Sequence, residues 1–177
     1  MELPLTSGVL GEDESSWFAI QTRPRYEKKV GSELQEKGIN VFLPLFSVKR
    51  QWSDRQRVVN PPLFPGYVFV RLVPTLSNRV SILRTNGVNG FVGNRGVGIP
   101  IPDGEIEALR TAINQKVAFV PYPYLKIGKR VCIRGGCLDG IEGMLVAING
   151  DQSLVVSVVL IQRSIAIRIT GYSVEAT

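Results

Sequence analysis

The chain has 177 residues, 44% of them hydrophobic, with 21 Lys and Arg against 15 Asp and Glu and a net charge of +6. That apolar share supports one ordinary domain or two small ones with a buried core and excludes a disordered tail. Histidine is absent, which excludes Ser-His-Asp and Cys-His catalysis, and Cys132 and Cys137 alone make neither a zinc site nor a secreted disulfide scaffold. The excess of positive charge makes a polyanion a reasonable partner. No apolar run reaches the roughly 20 residues that span a bilayer. The acidic start (Glu2, Glu12, Asp13, Glu14) lacks the order of a signal peptide. A cytoplasmic protein with reduced thiols, no metal and no cofactor is expected.

Residues 1–15 carry glycines, acids and no apolar period, and are expected to be a flexible extension. Trp17-Phe18-Ala19-Ile20-Gln21 reads as a strand. Thr22 and Pro24 suit a cap and first turn for a helix over about 25–37, in which Tyr26, Val30 and Leu34 recur every fourth residue and Gly38 supplies the stop. Val41-Phe42-Leu43 and Tyr67-Val68-Phe69-Val70 read as strands joined by a long polar connection that includes the basic stretch 49–57. A second helix over about 75–84 rests on Leu76, Val80 and Leu83. A third rests on Ile106, Leu109 and Ile113, with Asp103 as its cap, and residues 87–93 between them read as a strand. Strands alternating with helices over residues 16–115 predict an α+β layer sandwich, an antiparallel sheet covered by helices.

Near Val117 the pattern changes. Pro121 and Pro123 stiffen an expected linker over 116–124, and residues 125–177 are strand-like with glycine turns. Val131 and Ile133 alternate, Gly135-Gly136 turns the chain, and three runs follow over 144–148, 154–161 and 165–169. A small all-β barrel hides the edges of such a set. Two beads on a linker are the expected architecture.

Two motifs point to a family. Trp17-Phe18-Ala19-Ile20-Gln21 and Phe64-Pro65-Gly66-Tyr67-Val68-Phe69-Val70 resemble the signature strands of the NusG N-terminal (NGN) domain. The segment Val131–Gly143 looks like a KOW motif, which opens the SH3-like C-terminal barrel of that family, with Cys137 standing where the family usually has Pro. The wording from Pro62 to Phe69 and the ending from Ser157 to Ile169 look closer to operon-specialised paralogues of the RfaH and UpxY antiterminator type.

The resemblance implies a monomeric transcription elongation and antitermination factor without catalytic residues. It implies docking on the clamp helices of RNA polymerase through an aromatic hollow, at positions matched by Phe64, Tyr67, Phe69 and Phe91. Rigid aromatics suit such an anchor, while aromatics in a strand equally serve a core. Alternation puts Tyr67 and Phe69 on one face of the strand and Val68 and Val70 on the other.

Arg23, Arg25, Lys28 and Lys29 cluster at a helix start. The resemblance implies contact with the exposed non-template DNA strand at Arg23 and Lys29, whereas a charge run by itself is often only solvated surface. Lys49, Arg50, Arg55 and Arg57 flank Trp52 in a second basic stretch, where the ring either stacks a base or folds onto the sheet. Ile161 and Arg163 match a loop through which family members contact a small-subunit ribosomal protein or Rho. An exposed isoleucine suits that role, and a buried one is ordinary core. The rival expectation is a KOW-containing RNA-binding or ribosome-associated protein, which leaves the aromatic N-terminal motif unexplained.

Overall fold

The computed structural model describes residues 15–52, 55–93, 96–115, 119–122, 128–148, 151–169 and 171–177. The expected extension over 1–15 falls outside these except for Ser15. Strands β1 (Ser16–Thr22), β2 (Asn40–Phe42), β5 (Tyr67–Leu72) and β6 (Val88–Phe91) form an antiparallel sheet in the order β2-β5-β1-β6. Both faces of this sheet are covered. Phe18, Ile20, Val68 and Val70 pack with Val30 and Leu34 of α1 (Glu27–Glu36) and Ile82 of α2 (Leu76–Leu83). Trp17, Ala19 and Phe69 face Ile106 and Leu109 of α3 (Asp103–Asn114).

Four local expectations change. The first helix starts at Glu27, because Arg25 takes φ 69° and breaks the helical path. Thr22 ends β1 with its hydroxyl buried, so it caps nothing. In α2 the stripe Leu76, Val80 and Leu83 does not face the core. Leu76 is 79% and Leu83 48% exposed, and Ile82 is the enclosed residue. Thr75 caps this helix, its hydroxyl accepting from the Asn78 amide at 3.2 Å. Asp103 lies inside the first turn of α3 after Pro102.

The expected polar connection is a hairpin, β3 (Val48–Trp52) paired with β4 (Arg55–Val59) as a two-stranded sheet among the described residues. Its two strands pair in register from Val48 opposite Val59 to Trp52 opposite Arg55. Lys49, Arg57 and Val58 are exposed, so no apolar period marks the ribbon. The Trp52, Arg50 and Arg55 side chains lie outside the described residues.

The C-terminal part contains β7 (Phe119–Tyr122), β8 (Lys129–Arg134), β9 (Glu142–Ile148), β10 (Asp151–Val158), β11 (Arg163–Arg168) and β12 (Ser173–Ala176). They pair antiparallel in the order β12-β8-β9-β10-β11-β7 around Ile133, Leu154, Val156, Ile165 and Ile167. This is the β-rich unit expected as a barrel. Residues 119–122, expected in the linker, are its end strand. Pro121 sits opposite Ile165 there, at an edge where a missing N–H leaves no ladder bond unmade.

The two halves are packed together, contrary to the picture of separate beads. One apolar cluster runs from Trp17 and Phe69 through Leu109 to Leu154 and Ile165. Across the junction, Glu105 of α3 accepts from the Val159 amide at 3.0 Å, and the Phe46 and Phe119 rings lie 6.3 Å apart. With β7 paired to β11, only residues 115–118 separate α3 from the second sheet, which keeps α3 beside β10.

Candidate functional site

Phe64, Tyr67 and Phe69 come together. Phe69 is fully enclosed and Phe64 is 3% exposed, with their rings edge to face at 6.1 Å. Phe42 lies 6.1 Å from Phe69 and 6.3 Å from Trp17. Tyr67 is half-buried against this cluster, so an aromatic face with a polar tip remains at the surface. Phe91 is not part of it. Its partner across the ladder is Ile20, itself opposite Val68, and cross-strand partners share a face. Phe91 therefore packs on the other side of the sheet, edge to face with Phe18 at 6.0 Å and beneath Arg79 at 5.8 Å.

Sequence reasoning missed Arg110. Its guanidinium lies 5.4 Å from the Trp17 ring and 5.2 Å from the Phe42 ring, which places a cation at the edge of the aromatic cluster. Glu27 was missed too. It is 4% exposed, and its carboxylate accepts from the Gly66 amide at 2.7 Å while Gly66 O accepts from the Thr22 amide at 2.9 Å. The turn between Phe64 and Tyr67 is thereby tied to the start of α1, with Gly66 at φ 85°. The signal was an acid inside the basic run Arg25-Tyr26-Glu27-Lys28-Lys29.

Arg23, Arg25, Lys28 and Lys29 are all exposed, and Lys29 lies 5.7 Å over the Tyr26 ring. Beside them a groove of about 560 Å³ opens between the start of α1 and the segment 59–66. The basic row and the aromatic face thus flank one turn.

In the C-terminal part, Ile161 is 7% exposed within the common core, while Arg163 is exposed. The two do not form one open surface, because the turn before β11 folds Ile161 inward. Burial raises the Glu105 carboxyl above its ordinary value, against the lowering effects of the Val159 amide and Arg130. Cys137 and Tyr172 share a hydrogen bond at 3.2 Å, which raises the phenol. Among the described residues no set of three or more His, Cys, Asp or Glu gathers for a metal, and no helix is long and apolar enough to cross a membrane.

The sequence model of the family described as transcription termination factor nusG matches residues 15–110. The transcription termination/antitermination protein NusG of Lactococcus lactis is 29% identical, over 92% of this chain and 93% of that one. The NusG of Bacillus subtilis is 28% identical, over 80% and 86%. Among solved structures, one reporting domain interaction in Thermotoga maritima NusG covers 89% of this chain and 94% of that one, with a TM-score of 0.54 at 21% identity, a likeness of fold.

Proposed function

The chain belongs to the NusG family of transcription factors, and from that premise we propose that it is an elongation and antitermination factor that binds RNA polymerase through the aromatic face around Tyr67. It is no enzyme. The observation that carries the docking is the half-buried Tyr67 packed against the apolar cluster that holds Phe64 and Phe69, whose rings meet edge to face. Such a ring contributes contact area with little side-chain entropy left to lose. Phe64 and Phe69 serve as the support beneath it, and Arg110 supplies a cation beside it. The proposed partner surface is the clamp helices of the polymerase. The exposed basic row at Arg23, Arg25, Lys28 and Lys29 supports contact with the non-template DNA strand as a second element of the same complex.

We further propose a cytoplasmic protein whose C-terminal part recruits a ribosomal protein or Rho at the exposed Arg163, with Ile161 holding that turn to the core from within. The service of particular operons, as in RfaH and UpxY, is proposed from the wording around Phe64-Pro65-Gly66-Tyr67. Occupancy along the genome tests it: a single cluster of transcription units supports the specialist, and even coverage supports a general factor.

A further inference from the structure

We propose that the segment ahead of β1, residues 1–14, docks on the outward stripe of α2 formed by Leu76, Val80 and Leu83. Positions spaced by three and four residues share one side of a helix, and here that side is turned away from the core. Leu76 is the most exposed large apolar residue among those described, at 79%, and Leu83 follows the same face, while Ile82 on another side of the helix enters the core. Helical geometry sets Arg79 and Arg84 on either flank of the stripe. α2 itself carries no acid, and neither arginine enters an ion pair among the described residues. The surface on offer is an apolar stripe with a cationic border.

The segment has the complementary chemistry and leaves the fold at the right place. Its apolar residues are Leu3, Leu5, Val9 and Leu10, and Glu12, Asp13 and Glu14 stand directly before Ser15. Ser16 pairs with Leu72 at the end of β5, and Arg71 donates to the Ser15 hydroxyl at 3.1 Å. The chain runs from Leu72 through a short connection into Leu76, so β1 begins at the end of the sheet where α2 begins. The three acids are thereby tethered beside the N-terminal end of α2, where the helix dipole favours negative charge. From Ser15 back to Leu10 the chain reaches at most about 17 Å, and Leu76 to Leu83 is about 10 Å along the helix, so Val9 and Leu10 can lie on the stripe. A second copy of the chain would have to meet this basic border at the cost of association, whereas the tethered segment is held beside it at high effective concentration. The stripe lies across the sheet from Tyr67, and its occupation leaves the aromatic face open.

The test is nuclear magnetic resonance of the full chain labelled at Leu and Val methyls. The wild type is expected to show Overhauser cross-peaks from the Val9 and Leu10 methyls to those of Leu76 and Val80, and to shield Leu76 from a soluble nitroxide. Val9→Ser/Leu10→Ser should lose the cross-peaks and open Leu76 to the nitroxide, with the melting temperature of the remaining fold kept. Glu12→Gln/Asp13→Asn/Glu14→Gln should weaken the shielding at low salt, and added salt should bring the wild type to the same level, because exposed charges are screened. Leu76 equally open in the wild type and in Val9→Ser/Leu10→Ser overturns the proposal. Cross-peaks that arise only between differently labelled copies make a second copy the occupant and overturn it as well. So does a folded Leu76→Gln/Leu83→Gln chain in which Val9 and Leu10 keep their wild-type shifts, since the segment then docks elsewhere. Shielding that appears only when RNA polymerase is added assigns the stripe to that partner and overturns it too.

Discussion

Tyr67 and Phe69 stand on the same face of β5, yet Tyr67 is half-buried and Phe69 fully enclosed. Phe69→Ala removes a buried ring from a packed cluster and is expected to cost about 3–5 kcal/mol of stability, read as a lower urea midpoint. A midpoint unchanged from wild type contradicts the packing described for it. Glu105 offers a test by pH. Its carboxyl is raised by burial, so the folded chain takes up this proton at a higher pH than the unfolded chain does. The cost of the buried charge is fully present above the raised value and is relieved as pH falls toward the ordinary carboxylate range. Relative to Glu105→Gln, which keeps an oxygen for the Val159 amide, the wild type is expected to gain stability across that fall. A constant difference in urea midpoint between the two contradicts it. The alternation of Tyr67 and Phe69 was legible in the sequence, but which ring was exposed was not, because that depends on Phe64 and Phe42 arriving from other segments.

Among the elements, α1 and α3 were legible because burial on one side left a period in their apolar residues, and β1 because burial on both sides left an unbroken apolar run. The hairpin of β3 and β4 left none and was taken for a connection, since its pairing is a backbone matter. In α2 a regular stripe of Leu76, Val80 and Leu83 misled, because periodicity finds a face without saying what covers it. Thr75→Ala should cost about 1 kcal/mol by removing the cap on the Asn78 amide, measured as a shifted thermal midpoint. No shift means that water or the helix itself replaces the cap. The prolines at 121 and 123 suggested a linker, but β7 includes Pro121 and pairs with β11. A fragment starting at residue 119 is therefore expected to give a β-type far-ultraviolet spectrum and a higher melting temperature than one starting at 124. Equal melting, or a helical spectrum, contradicts the role given to β7.

At the scale of the whole molecule, the change of pattern near Val117 marked the passage from a mixed α/β part to a β-rich one, but the packing of the two was invisible, since it joins α3 to β10 through residues distant in the chain. The Val159 amide, held by Glu105, should exchange its hydrogen slowly in the full chain and faster in Glu105→Ala. Equal exchange in both means the halves separate freely in solution. The same packing joins the aromatic residues of the N-terminal half and the C-terminal core in one apolar cluster. The most direct measurement of the central claim is titration of RNA polymerase with the wild type and with Tyr67→Ala, both checked by melting. The variant is expected to keep its fold and lose about 1–3 kcal/mol of binding. A folded Tyr67→Ala that binds polymerase as tightly as the wild type contradicts the claim.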